Sequence, residues 1–174
     1  VMVGAGTARA DDPMLTVRGL GPVRQPVRAV LSRRLDLPRD TALHRSLGEA
    51  PVWLIHGPDA PEAARAHWEE AGARLIAGEI GAGGQIDLAA AMRALGAAGI
   101  NRVFCEGGGT LAAALLGGDL VDDLALMTAG IALGAEGTPG VAAMGVASLS
   151  EAPRFALREV RRVGDDTLSL WARD

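Results

Sequence analysis

The chain has 174 residues, 49% of them hydrophobic, and a formal net charge of −4 from 21 acidic and 17 basic residues. This length suffices for one sizeable core, and arginines dispersed among acidic residues argue against a nucleic-acid surface. All basic residues are arginine and tyrosine is absent, which excludes a P-loop lysine, a Schiff-base lysine and a Tyr/Lys hydride-transfer pair from this chain.

The first eighteen residues run from an apolar stretch through glycines into a polar segment that ends on Arg18. We predict a strand at Val1–Val3 followed by a glycine turn and a loop. Gly4 and Gly6 would let the backbone approach a ligand, and the Thr7 hydroxyl can donate to a phosphate or ribose oxygen. The planar guanidinium of Arg18 matches a phosphate. Taken alone, the same residues also fit an ordinary turn and a solvated arginine.

The middle of the chain alternates predicted strands and helices. Helices are predicted at Pro61–Ala71 and Asp87–Ala97, the first with proline near its start and Gly72 just past its end. The strands are mostly continuous apolar runs, which are typical of a parallel sheet covered on both faces. These runs are Val27–Leu31, Val52–Ile55, Ala73–Ile76, Arg102–Cys105 and Leu124–Met127.

A second glycine turn follows the predicted strand at Arg102–Cys105. Glu106 ends this strand, Gly107–Gly109 form the turn, and Thr110–Leu116 form a short apolar helix. The free N–H groups and partial positive charge of a helix N-terminus favour a pyrophosphate there. A small-residue helix packed tightly on the sheet is the alternative. Two glycine loops of this kind suggest a dinucleotide together with a phosphorylated substrate.

The last predicted element is a hairpin. Phe155–Val163 and Thr167–Trp171 flank Gly164-Asp165-Asp166, as antiparallel strands flank a turn. The glycine-rich stretches Gly78–Gly84 and Gly134–Gly140 are predicted to be loops. The fold class is therefore α/β, with a mostly parallel sheet flanked by helices and a C-terminal antiparallel hairpin, in one domain over residues 1–174.

Several other kinds of site are not indicated. Cys105 is the single cysteine, so no internal disulfide forms. His44, His56 and His67 lack ligand spacing, so no metal site is predicted. No apolar run of about 18 residues and no signal peptide is present, so we expect a cytoplasmic protein that binds neither membrane nor nucleic acid.

Four sequence blocks, in order, resemble the reductase domain of riboflavin biosynthesis. They read VGAGTARADDPMLTVR, RQPVRAVLS, CEGGGTLAAALL and VDDL. The resemblance implies a dihydrofolate-reductase-like fold and NADPH-dependent reduction of 5-amino-6-(5-phosphoribosylamino)uracil to the ribitylamino product. It also implies a homodimer and, in many relatives, an N-terminal zinc deaminase domain, whose His-x-Glu and Pro-Cys-x-x-Cys motifs do not occur in this chain.

The resemblance also implies roles for individual residues. Thr7 and Asp11 would contact NADP, whereas Leu15 and Arg18 would contact the phosphoribosyl substrate. Glu106 would contact the substrate as well. The other implied NADP contacts lie at the end of the second block and along the third, at Ser32, Gly108, Gly109, Thr110, Leu111, Ala112, Ala113 and Ala114.

The chain departs from the family pattern in two places. Relatives carry a further strand and helix before the first block, so we expect a domain that lacks them. Thr128-Ala129-Gly130 stands where the family often has a proline. Recognition of the 2′-phosphate of NADP would need a basic or hydroxyl group, and Arg33 and Arg34 after Ser32 are candidates by position.

The family reaction delivers a hydride to the anomeric carbon of the opened ribose, with donor and acceptor carbons about 3–3.5 Å apart. No strong general acid is visible in the sequence. The catalytic residue is therefore unknown, with Asp11 and Glu106 as candidates. A related reductase acting on a pterin or another heterocycle is one alternative, although a free pterin has no ribose phosphate for Arg18 to hold. A non-catalytic nucleotide-binding module is the other.

Overall fold

A computed structural model describes residues 1–173 and divides the chain into two compact units. Unit 1 is Val1–Leu111, and unit 2 begins at Ala112. The single domain expected from the sequence stays a prediction.

Unit 1 is built around a four-stranded parallel sheet in the order β1-β2-β3-β4. The parallel sheet expected from the apolar runs is thus confirmed for these strands. Their bounds are Met2–Gly4 for β1, Arg28–Leu31 for β2, Val52–His56 for β3 and Arg74–Ala77 for β4.

Three helices connect these strands, and two further helices follow β4. The bounds are Ala5–Asp11 for α1, Ala42–Arg45 for α2, Glu62–Glu70 for α3, Leu88–Ala97 for α4 and Gly109–Gly117 for α5. The predicted helices at α3, α4 and α5 are confirmed to within one residue at each end. Asp87 caps α4 by accepting a hydrogen bond from the Ala90 N–H at 2.7 Å, which explains why the helix begins there.

The core of unit 1 lies beside the parallel sheet. Val3, Val30 and Leu54 are fully buried and lie at paired positions on neighbouring strands. Trp68 of α3 and Leu43 of α2 join them in one apolar cluster. Burial of these side chains supplies most of the free energy that favours folding, since each fully buried large apolar side chain contributes about 1.5–3 kcal/mol.

The segment after β1 differs from the predicted glycine turn and polar loop. The chain enters α1 directly at Ala5 and leaves it at Asp12, whose φ of 40° ends the helix. The glycine at position 6 misled the prediction because it weakens the helical pattern. The irregular loop starts only after this helix.

The predicted strand Arg102–Cys105 is wrong. Its backbone makes a single parallel bridge, between Met2 and Cys105. The Met2 N–H donates to the Phe104 carbonyl at 2.8 Å, and the Glu106 N–H donates to the Met2 carbonyl at 2.9 Å. Phe104 is 58% exposed, so this stretch is not buried on both faces.

Unit 2 contains an antiparallel sheet in the order β5-β7-β6. The strands are Asp123–Thr128, Ala156–Val163 and Asp166–Ala172, and Gly164 with a φ of 64° lies in the turn between the last two. The predicted hairpin is confirmed. The prediction for Leu124–Met127 is corrected, because this strand pairs antiparallel with β7 and not within the parallel sheet. An apolar run does not by itself specify the direction of its partner.

Two glycine-rich stretches, Gly78–Gly84 and Gly134–Gly140, were predicted to be loops. Gly78–Gly84 contains one isolated bridge residue, Ile80, and Gly134–Glu136 forms one short 3₁₀ turn, so both glycine-rich stretches are irregular as predicted. No helix among residues 1–173 is long and apolar enough to cross a membrane.

Candidate active site

A cavity of about 630 Å³ lies in unit 1. One wall is the continuous segment from Asp11 to Arg18, which covers the end of α1 and the loop after it. Phe104 and Glu106, which flank the residue bridged to β1, also line the cavity. Val1 completes the lining.

Four residues singled out in the sequence meet in this cavity. Asp11, Leu15, Arg18 and Glu106 all line it, although about ninety residues of chain separate the last from the others. Three of them are the proposed substrate contacts, and Asp11 and Glu106 are the two candidate catalytic residues. The structure brings these side chains to one cavity, and their individual roles stay predictions.

The guanidinium of Arg18 is available to an anion. Arg18 is exposed, and within residues 1–173 its side chain makes no hydrogen bond or ion pair. The neighbouring carboxylate of Asp12 is occupied, since it accepts from the Ala42 N–H at 2.7 Å and lies 3.4 Å from Arg45. The cavity thus offers one uncommitted cation, which suits a phosphate group.

Thr7 and the second glycine turn lie together, as the predicted cofactor site requires. The Gly108 N–H donates to the Thr7 Oγ1 at 3.1 Å, and the hydroxyl proton of Thr7 stays free to donate. This hydrogen bond joins α1 to the start of α5. The predicted contacts from Gly109 to Ala114 all lie on α5, whose first turn begins with Gly109 and Thr110.

The glycines of this turn differ in what surrounds them. A Cβ added at Gly107 would lie 2.6 Å from Leu111 Cδ2, so this position serves packing against the helix. A Cβ at Gly108 would meet Thr7 Oγ1 at 3.6 Å, an ordinary contact, and its backbone does not need the left-handed conformation. Gly108 is therefore not required for folding, which leaves close approach of a ligand as a reason for the missing side chain.

Ser32 does not reach the cavity. It directly follows β2, is 1% exposed, and donates its hydroxyl to Asp36 Oδ1 at 3.1 Å. Asp36 also forms an ion pair with Arg9 of α1 at 2.7 Å. Because Ser32 donates its hydroxyl proton to Asp36, a cofactor could contact Ser32 only by donating a hydrogen bond to its oxygen.

The two arginines after Ser32 are not equivalent. Arg33 binds Asp59 at 2.9 Å and also donates to the Gly84 carbonyl. The hydrogen bond to Arg33 holds the pKa of Asp59 below its usual value. Arg34 is exposed, and among residues 1–173 its guanidinium has no hydrogen-bond or ion-pair partner. Arg34 is thus the better placed of the two to meet a 2′-phosphate.

The thiol of Cys105 has low reactivity. Cys105 is half-buried, and burial raises the pKa of its thiol, so little reactive thiolate forms near neutral pH. Across the described residues, no group of three or more His, Cys, Asp or Glu side chains could hold a metal ion.

Sequence reasoning missed some residues of the cavity and its support. Met14, Thr16 and Val17 lie in the sequence between the predicted contacts Asp11 and Arg18. Their positions could therefore have indicated that they line the cavity. Phe104 was assigned to a buried strand. Arg28 gave no signal at all, because nothing in the sequence shows that its side chain turns into the core.

Comparison with known proteins shows the family of this chain. The family model for the RibD C-terminal domain matches residues 1–169. The RibD protein of Escherichia coli is 34% identical over 95% of this chain and 46% of its own length. A reductase of Methanothermobacter thermautotrophicus, named for 2,5-diamino-6-ribosylamino-4(3H)-pyrimidinone 5′-phosphate, is 29% identical over 97% of this chain and 76% of its own length.

Solved structures show the same fold. RibD of Acinetobacter baumannii superposes with a TM-score of 0.80 at 23% identity, over 99% of this chain and 46% of that one. A deaminase and 5-amino-6-(5-phosphoribosylamino)uracil reductase of Thermotoga maritima gives 0.73 at 21% identity, over 99% and 44%. This chain thus spans less than half the length of the RibD proteins. From the match over nearly its whole length, the chain belongs to the RibD C-terminal domain family.

Proposed function

We propose that this chain reduces 5-amino-6-(5-phosphoribosylamino)uracil to the ribitylamino product with NADPH, as a step of riboflavin biosynthesis. The observation that carries the proposal is the cavity that joins Arg18 and Leu15 to Glu106. Relatives named as reductases of closely related phosphoribosylamino pyrimidines support the substrate class.

Each end of the substrate has a partner in the cavity. Arg18 would hold the phosphate through charge-assisted hydrogen bonds, and Leu15 would cover the ribose. Glu106, which also lines the cavity, would accept hydrogen bonds from the amino groups of the pyrimidine. This division is favoured because Arg18 is uncommitted in the described chain and Glu106 is an acceptor only.

The cofactor would lie along α1 and the start of α5. The Thr7 hydroxyl, the open space at Gly108 and the first N–H groups of α5 suit a pyrophosphate. Gly109–Ala114 carry the predicted contacts along that helix. When bound, NADPH supplies the hydride that the anomeric carbon of the opened ribose accepts.

Proton transfer would fall to a carboxyl group at the cavity wall. Asp11 ends α1 and precedes the substrate loop, so it lies next to both proposed binding regions. Glu106 lines the same cavity. Either could orient the substrate or move a proton through water.

The direct test is NADPH oxidation with the phosphoribosyl substrate. We expect turnover with 5-amino-6-(5-phosphoribosylamino)uracil, weaker turnover with the 2,5-diamino pyrimidinone phosphate, and none with a free pterin. Turnover of the pterin would show a related reductase of another heterocycle. NADPH binding without oxidation by any of these compounds would show a nucleotide-binding module.

Cofactor preference gives a separate prediction. If Arg34 meets the 2′-phosphate, fluorescence titration at low salt should show NADPH binding more tightly than NADH. The difference should shrink as salt rises, because Arg34 is exposed and its field is screened. Arg34→Ala should narrow the gap more than Arg33→Ala, whose guanidinium is already paired. Equal affinities at low salt would contradict this assignment.

We further propose that the protein is a cytoplasmic homodimer and that in the cell it is joined to an N-terminal deaminase domain. The sheet of unit 2 supports a dimer, since β5 and β6 are both edge strands. Leu126, Met127 and Val160 on these strands are 40–57% exposed apolar side chains. The deaminase is supported by the RibD proteins, which are more than twice the length of the matched region. Analytical ultracentrifugation measures the oligomeric state.

A further inference from the structure

Arg28, the first residue of β2, is a fully buried cation. Its Nη1 donates to the Met14 carbonyl at 3.1 Å and to the Ser46 hydroxyl at 2.5 Å. Its Nη2 donates to the carbonyl oxygens of Ser46 at 2.8 Å and Ala50 at 2.5 Å. Within residues 1–173 no carboxylate forms an ion pair with this guanidinium, and its Nε is buried without a partner. Burial lowers the pKa of Arg28, and the more distant charge of Glu49 offsets only part of that effect.

Such an arginine is an unfavourable choice for packing alone. A buried charge held only by neutral oxygens recovers less of its lost hydration than one paired with a carboxylate. The next three residues of β2 are apolar, as a buried strand prefers. The burial of this charge is explained if one of the hydrogen bonds that Arg28 donates has a role outside the core.

That bond is the one to Met14. Met14 lies in the loop that forms the cavity wall, where no helix or strand fixes the backbone. The next residue, Leu15, has a φ of 54°, a left-handed conformation that leucine rarely adopts and that persists only where the surroundings hold it. Arg28 therefore fixes the carbonyl directly before the strained residue.

A second anchor holds the other side of the same strained residue. The Val17 N–H donates to Gln25 Oε1 at 2.8 Å, and Gln25 Nε2 donates to the Val17 carbonyl at 3.1 Å. The backbone between Met14 and Val17 is thus held at both ends by side chains. Arg18 follows directly after it.

We propose that Arg28 is a positioning residue for the substrate: anchored by Ser46 and Ala50, it holds the Met14 carbonyl and so places Leu15 and Arg18 in the cavity wall. The proposal rests on the proposed function for the identity of the substrate. It requires no contact between Arg28 and any ligand, and the cofactor region around Thr7 and Gly108 makes no hydrogen bond to it.

The test compares Arg28→Lys and Arg28→Met with the control Arg65→Met, an exposed arginine of α3. In the Arg28 variants we expect the KM for the phosphoribosyl substrate to rise about tenfold, with kcat falling less than about threefold. The Kd for NADPH should change less than about twofold. Hydrogen exchange should be faster at the amide of Val17, whereas the control should match the parent in every measurement.

A lower melting temperature with unchanged KM and unchanged exchange would make Arg28 a residue of the core only, and would overturn the proposal. An equal loss of substrate and NADPH affinity would overturn it too. If Arg28→Met does not fold, Arg28→Lys and Ser46→Ala decide the question by the same readouts. A parent chain that does not turn over the pyrimidine counts against the proposed function instead, and the exchange measurement then still tests whether Arg28 holds the loop.

Discussion

In a Gly108→Val variant we expect reductase activity to be lost because NADPH no longer binds, while the free protein stays folded. The physical reason is that the side chain would occupy the space beside Thr7 Oγ1, where an added Cβ would make only an ordinary contact at 3.6 Å. The backbone of Gly108 needs no left-handed angle, so valine adds little strain. A bulky group at that point excludes the pyrophosphate altogether.

Thermal melting with and without NADPH measures this. A ligand at about a hundred times its Kd stabilises a protein by about 2.7 kcal/mol, or roughly 5–10 °C for a chain of this size. The parent should show this shift and the variant should not. Gly107→Ala is the matched control, because its Cβ would meet Leu111 at 2.6 Å and should lower stability without abolishing the NADPH shift. A full shift in Gly108→Val would mean that the turn serves only helix packing.

In an Arg18→Ala variant we expect NADPH binding to stay nearly intact while the KM for the phosphoribosyl substrate rises about ten- to a hundredfold. This range corresponds to losing about 1.4–3 kcal/mol of charge-assisted hydrogen bonding to the phosphate. Arg18 lines the cavity and has no partner within the described chain, so its removal leaves no buried group unpaired.

Steady-state kinetics and cofactor titration separate the possible outcomes. Arg24→Ala is the control, since Arg24 is an exposed arginine of the same loop that does not line the cavity. Its KM should stay within about twofold of the parent value. Equal losses of substrate and cofactor affinity in Arg18→Ala would place this side chain at the cofactor, or in the fold, and contradict the substrate assignment.

Hydrophobic pattern and turn chemistry predicted most of the fold. The parallel strands are short apolar runs, and the last hairpin has glycine at its turn, so local sequence specified both. Two of the errors, those on strands, share one cause. Whether Arg102–Cys105 forms a ladder, and which direction the partner of Leu124 runs, depend on residues far away in the chain.

The candidate site was predictable where a family motif marked it. Asp11, Leu15, Arg18 and Glu106 were found in this way, and the structure places them in one cavity. The support behind the cavity was not predictable, because it depends on side chains reaching backbone carbonyls. The hydrogen bond from Ser32 to Asp36 was not predictable either, because the periodicity of a sequence does not reveal hydrogen bonds between side chains.

The order of residues along the chain determines when the loop from Asp11 to Arg18 can be held in place. Gln25, Arg28 and the Ala42 N–H, which hold the loop, all come later in the chain than the loop itself. A chain is synthesised from its N-terminus, so the loop is made before the residues that hold it. Glu106 follows about ninety residues after Asp11. During synthesis the loop is therefore made first, and the lining of the cavity is complete only after Glu106 has been added.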